Sequence, residues 1–323
     1  MIRKIGILFA AVLTILLSGC GGEEKNDSLT AKQWQILSYL PPDTEFLLHM
    51  NLDELRKTQF WDDYFKASLQ KTPGNNWLTD FENKTGVGLK KGLSSIYTAT
   101  TWEGENVFVV QFSGKTQPVM DYFNNANYFT PGSVNNKKFY ELRTGSASKF
   151  YFVDDSTLVV MNSIDYLHSL LKEERKSLKD NIQFIQLVQS IKNKQQYFLV
   201  TDKGTFAAAL FEPLLGHNKD LPVKEIISSI SSIQLSAEFN DGVSIESVWN
   251  FNNSKNAYLL STAIKSAIAV GIFKQRDVTL GTIVEDMTIS RYDTKIKFTL
   301  DIEKEKLNKL RHSSLNNTLG TKL

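Results

Sequence analysis

A single cysteine governs what this chain can fold into. Cys20 is the only one in 323 residues, so no intramolecular disulfide, cysteine-based zinc site or thiol nucleophile is open to the rest of the chain. Stability has to come from burying apolar side chains. With 41% of its residues hydrophobic and 22% charged, the chain can build one large or two medium domains with cores of their own. That excludes a disordered chain, a coiled coil and a disulfide-stapled miniprotein. Lys plus Arg number 37 and Asp plus Glu 35. Arg3 and Lys4 fall in a segment expected to be removed, leaving 35 against 35. No global field then draws the chain to nucleic acid or to an anionic membrane surface.

The position of that cysteine carries the clearest signal. Met1-Ile2-Arg3-Lys4 is a short basic start, and Ile5 to Leu17 is apolar except for Gly6 and Thr14. Small residues follow, which is the layout of a secretory signal over residues 1–19. The apolar run is about 13 residues, short of the roughly 20 that a spanning helix needs. The boundary Leu17-Ser18-Gly19-Cys20 resembles the lipobox of bacterial lipoproteins. The resemblance implies cleavage before Cys20, acylation of its sulfur with palmitate-like chains, and a protein held at the cell membrane by lipid. Gly21, rather than Asp, follows the cysteine. By likeness to Gram-negative lipoproteins, this favours an outer-membrane protein facing the periplasm in a host of that type.

Residues 20–33 read as the lipidated cysteine and a polar tether, and 311–323 as a flexible tail. Between them strand and helix signals alternate. Glu45–Asn51 reads as a strand after the turn Pro41-Pro42-Asp43, and Leu52–Leu69 as an amphipathic helix. A short helix over Trp77–Lys84 follows, then a loop punctuated by Gly86, Gly88 and Gly92. Strands are expected at Ser95–Trp102 and Asn106–Phe112, a helix at Gln117–Asn125, and strands at Lys138–Arg143, Lys149–Val153 and Thr157–Met161. A helix over Ile164–Glu174 ends the first half, residues 34–180.

The second half, 181–310, repeats this order. A strand at Tyr197–Thr201 precedes a helical stretch over Thr205–Leu210. Ser231–Asn240 and Val243–Phe251 form a hairpin across Asn240-Asp241-Gly242. A helix over Asn256–Phe273, strands at Ile283–Arg291 and Thr294–Asp301, and a helix over Glu303–Leu310 complete it. Ser94-Ser95-Ile96 returns as Ser231-Ser232-Ile233, 137 residues on, and Phe46 pairs with Phe198 at an offset of 152. The fold expected is therefore α+β: two similar halves of mostly antiparallel sheet, with helices on one face, resembling a duplicated split βαβ unit.

Motifs for catalysis are scarce. The chain has no G-x-S-x-G, H-E-x-x-H, P-loop or C-x-x-C pattern. Ser68–Lys71 and Ser169–Lys172 fit S-x-x-K but lack the partner motifs of penicillin-binding enzymes. His49, His168, His217 and His312 show no ligand spacing, and Asp154-Asp155 reads as a hairpin tip. Neither a cofactor, a metal nor a catalytic residue is assigned. A hydrolase would require Ser or Asp beside His49 or His168 in space.

Aromatic residues make up 11% of the chain. Phe60, Trp61, Tyr64, Phe65, Tyr122 and Phe123 either fill the layer between helices and sheet or line an apolar groove for an acyl chain.

The stretch Leu40–Leu48, then Leu52-Asp53-Glu54-Leu55-Arg56, Phe60-Trp61 and Thr85–Leu89, resembles a family of bacterial exported proteins classed as a domain of unknown function. The likeness covers the first hundred residues and implies no activity. The expectation is a membrane-anchored, non-enzymatic binding or scaffolding lipoprotein of the cell envelope. Its partners would be the membrane, through its lipid, and an envelope protein, with no nucleic acid. A carrier or sensor of a hydrophobic ligand is the alternative.

Overall fold

Burial alternates along the strands with the period of two that a pleated backbone imposes. On the strand Leu93–Thr101, for example, Tyr97, Ala99 and Thr101 are buried while Thr98 and Thr100 are half-buried. In this computed structural model, which describes residues 29–66, 76–114, 116–143, 148–192, 194–205, 222–271 and 278–309, such strands form one sheet. Cys20 with its signal and tether to residue 28, Ser68–Lys71, His217, His312, the stretch 206–210 and the tail 311–323 lie outside the described residues.

The strands are β1 (Thr44–Asn51), β2 (Leu93–Thr101), β3 (Asn106–Phe112), β4 (Phe129–Val134), β5 (Lys137–Leu142) and β6 (Lys149–Asp154). They continue with β7 (Thr157–Met161), β8 (Tyr197–Thr201), β9 (Ile230–Phe239), β10 (Val243–Phe251), β11 (Thr288–Tyr292) and β12 (Lys295–Ile302). Their order across the sheet is β11-β12-β10-β9-β8-β1-β2-β3-β7-β6-β5-β4, and neighbouring strands are antiparallel.

This order reads outward from the β8–β1 seam as two copies of one path. β1-β2-β3-β7-β6 runs one way and β8-β9-β10-β12-β11 the other, with β4 and β5 added to the first copy. The registers align the copies residue by residue. Ser95 lies opposite Gln111, and Ser232 opposite Asn250. Both pairs are hydrogen-bonded at 2.8 Å, Ser95 Oγ with Gln111 Oε1 and Asn250 Nδ2 with Ser232 Oγ. Carrying the 137-residue offset through the β1–β2 and β8–β9 registers matches Leu47 with Phe198, an offset of 151. The Phe46–Phe198 match expected from sequence is one residue out. Phe46 points to the opposite face from Leu47, and a one-residue slip exchanges faces.

The helices are α1 (Ala31–Leu37), α2 (Leu52–Leu55), α3 (Asn76–Thr85), α4 (Gln117–Asn125) and α5 (Ile164–Leu170). After them come α6 (Ile182–Ser190), α7 (Val223–Ser228), α8 (Ser254–Ala269), α9 (Val278–Val284) and α10 over 304–309. The inter-strand helices that both copies share follow the one-face expectation. α2 and α4 in the first copy, and α7 and α8 in the second, pack on the side of the sheet that carries Ile96, Phe112, Ile233 and Trp249. The first copy departs from it by having a second layer. α1, α5 and α6 cover its other side, burying Leu37, Leu167 and Phe184 against Leu47, Val109, Val159 and Phe198. This core crosses the 180/181 boundary, because α6 and β8 belong to it. Among the described residues, the same side of β9, β10 and β12 has no such cover beyond α6. It is correspondingly polar, with Ser232, Gln234, Glu246, Asn250 and Lys295.

Several elements differ from expectation for local reasons. Folding starts before Trp34: Leu29 is buried, and α1 begins with a capping box between Thr30 and Gln33. The helix expected over Leu52–Leu69 stops at Leu55 and resumes at Gln59, with a π-helical turn at Trp61–Phe65. The Thr58 hydroxyl causes the break, donating to the Leu55 carbonyl at 2.7 Å and accepting from Trp61 N at 3.2 Å. The strand expected over Ile283–Arg291 is α9 followed by β11.

Candidate functional site

The six aromatic residues considered for an apolar groove are consumed by packing. They fall into two separate clusters. Phe123 is buried with its ring 4.3 Å from Phe129, 5.2 Å from Phe150 and 5.3 Å from Tyr140. Tyr122 sits edge-on to it and donates its hydroxyl to Asp80 at 2.9 Å. Burial and the Asp80 carboxylate both push that phenol's pKa up. Tyr122 also borders a groove of about 580 Å³ between α3 and α4, with Lys84 and Asp121. Trp61 packs with Leu52 and Leu55, and Phe65 lies against them. Phe60 stacks on Phe239 at 4.9 Å, and Tyr64 donates to Asn308 at 2.7 Å. Phe60, Tyr64 and the Trp61 cluster thus join the first half to Phe239 and Asn308 of the second.

Polar chemistry gathers instead on the opposite side of the sheet. β1 directs His49 and Asn51 there, β2 adds Ser95 and Tyr97, and β3 adds Gln111. With Thr30 and Gln33 of the α1 start, and Lys194 and Gln195 before β8, they line a pocket of about 340 Å³. His49 is 2% exposed, stacked 4.2 Å from Tyr97 and 4.9 Å from Phe198. Its Nδ1 is buried with no hydrogen-bond partner. Burial drives its pKa down to about 3, so the imidazole is neutral at any physiological pH. Burial likewise raises the Tyr97 hydroxyl, against a hydrogen bond from Gln33. Lys194 is buried, and its ammonium donates to the carbonyls of Gln189 and Ile191 at 3.3 and 3.1 Å.

A second pocket, of about 590 Å³, lies where the duplication repeats this wall. Through the strand registers, Asn51 becomes Asp202, Ser94 becomes Ser231, Ser95 becomes Ser232, Tyr97 becomes Gln234 and Gln111 becomes Asn250. All five successors line the second pocket, as all five originals line the first. His49 becomes the fully buried Val200. The unsatisfied atom passes to Asp202, whose Oδ1 is buried without a partner. Burial raises the Asp202 carboxyl's pKa, which Lys203 partly offsets and Glu45 reinforces. The inter-half segment separates the pockets: Ser190 and Lys192 border the second, Lys194 and Gln195 the first.

Other residues singled out from sequence stand apart. The Ser95 hydroxyl shares the pocket with His49 but is bonded to Gln111. His168 is exposed on α5, and Lys172 of the second S-x-x-K is exposed just beyond it. Asp154 accepts from Ser156 N and Oγ at 2.8 and 2.9 Å, as a hairpin tip should. Among the described residues, no group of three or more His, Cys, Asp and Glu could hold a metal ion. No described helix is long and apolar enough to cross a membrane.

No protein-family model matches the chain, and no curated protein does. Among solved structures the chain resembles TP0453. Its crystal form III aligns with a TM-score of 0.52 at 12% identity, covering 86% of this chain and 97% of that one. Crystal form IV gives 0.48 at 10% identity over 87% and 99% of the two chains. What the two proteins share at such low identity is a fold: this chain is an α+β protein similar in architecture to TP0453 across nearly the whole of both.

Proposed function

We propose that the chain is a lipid-anchored, non-enzymatic binding protein of the bacterial cell envelope, making protein contacts there and facing the periplasm from the outer membrane in a Gram-negative host. Leu17-Ser18-Gly19-Cys20 at the end of the apolar run supports the anchor. The duplicated polar pockets, each with an unpaired hydrogen-bonding atom, carry the binding role. Thr30, on the rim of the first pocket, lies ten positions after Cys20. An extended chain spans at most about 3.3–3.6 Å per residue, so the pocket stays within roughly 35 Å of the lipid. One acyl chain holds a protein only marginally, whereas two or three hold it almost permanently.

A Cys20→Ser variant tests the anchor. It is expected to lose the labelled palmitate that the unaltered protein takes up in its host, with its melting temperature unchanged. An unaltered protein that takes up no label, or a variant labelled to the same extent, would end the proposal.

A further inference from the structure

We infer that the two pockets are a duplicated binding site for a neutral, hydroxyl-rich ligand of the saccharide type. Five equivalent positions line both pockets, on the same side of the sheet and at offsets fixed by the strand registers. Both walls also contain a buried polar atom that the protein leaves unsatisfied, His49 Nδ1 in one and Asp202 Oδ1 in the other. Structure alone gives no reason to keep such an atom, since an apolar side chain of similar shape is nearly neutral or stabilising in its place.

The class of ligand follows from what both walls accept. The first wall carries Lys32 and Lys194 with Glu54, and the second Asp202 and Glu246 with Lys192 and Lys295. Each wall mixes both signs of charge, so neither a compact anion nor a compact cation suits the pair. The remaining side chains are mostly amides and hydroxyls, including Gln33, Asn51 and Ser95 in the first and Gln183, Ser232 and Asn250 in the second. A hydroxyl both donates and accepts, so it serves an amide, a carboxylate and either nitrogen of a neutral imidazole. Volumes of about 340 and 590 Å³ fall in the range of small-molecule sites.

The inference rests on the binding role proposed above and is independent of the anchor. Its test uses the full-length protein in a sugar-free zwitterionic detergent, with calorimetric titration of cellobiose and N,N′-diacetylchitobiose. Inorganic phosphate and spermidine serve as charged probes, and phosphatidylcholine vesicles with and without a glycosyl diacylglycerol form a separate arm. Two disaccharides are expected to bind per chain. His49→Phe should weaken one site about tenfold or more, Asp202→Leu the other, and the double variant both, a tenfold loss being the size expected for one hydrogen bond. Unchanged or raised melting temperatures establish that the variants fold. Binding only to the glycolipid vesicles, with the same variant pattern, supports the ligand class and places its hydroxyls on a lipid headgroup. Binding of phosphate or spermidine in place of saccharide overturns the ligand class and leaves the binding role standing. Saccharide binding indifferent to either variant, or a single site, overturns the duplication. No binding of any probe overturns the inference.

Discussion

Between pH 6.5 and 4.5 the protein is expected to lose about 2–3 kcal/mol of stability that a His49→Phe variant keeps. The imidazole lies between Tyr97 and Phe198, fully enclosed, and burial lowers its pKa from 6.5 to about 3. In that window the unfolded chain binds a proton that the folded chain refuses. Stability is therefore complete above pH 6.5 and falls as the pH drops toward 3, by about 1.4 kcal/mol per unit. The carboxylates, Asp202 with its raised pKa among them, are common to both proteins, so their titration cancels in the comparison. The variant should also be more stable at pH 7.5 by about 1 kcal/mol, because no unpaired Nδ1 remains. Urea unfolding of both proteins at several pH values measures this. Parallel curves would mean that His49 is protonated as easily in the folded protein as in the unfolded one.

Phe123→Ala should cost about 3–5 kcal/mol, the range for truncating a buried aromatic side chain. Its ring is 3% exposed, within 4.3–5.5 Å of Phe129, Phe150, Tyr140 and Phe152, with Phe81 and Tyr122 at 6.3 Å. Such a cluster interdigitates and cannot collapse into the space that a phenyl ring leaves. The result separates the two roles considered for these aromatics. A residue lining a ready-made apolar cavity already lacks partners on one side, so its truncation costs less. A loss below about 1 kcal/mol on urea unfolding would restore the apolar-groove reading of Tyr122 and Phe123.

The strands were legible because their neighbours enforce alternation. β3 and β10 were expected at their observed limits, and the Asn240-Asp241-Gly242 turn marked the second-half hairpin. β4 was missed because it carries Pro131 and Gly132, residues that a strand tolerates at a sheet edge. α1 was missed although Thr30 and Gln33 spell a capping box, because the polar residues before it read as tether. The run from Val278 to Val284 is short and apolar, where periodicity does not separate a strand from a helix.

The pockets were harder to read. His49, Asn51, Ser95 and Gln111 are unremarkable one by one, and only the β1–β2–β3 register sets them on one wall. The clue available was the repeated Ser-Ser-Ile, whose two serines line both pockets. By itself that repeat marks a duplicated fold; the shared wall needs the strand registers. Matching Phe46 with Phe198 is one residue out, and only the true offset of 151 matches Asn51 with Asp202.

Whether this is a binding protein held to the envelope by lipid on Cys20 is read from the intact mass of the protein extracted from its own host's membranes. The expected mass is that of a chain that begins at Cys20 and carries two or three acyl chains. A chain that keeps residues 1–19, or one with an unmodified Cys20 thiol, would contradict it.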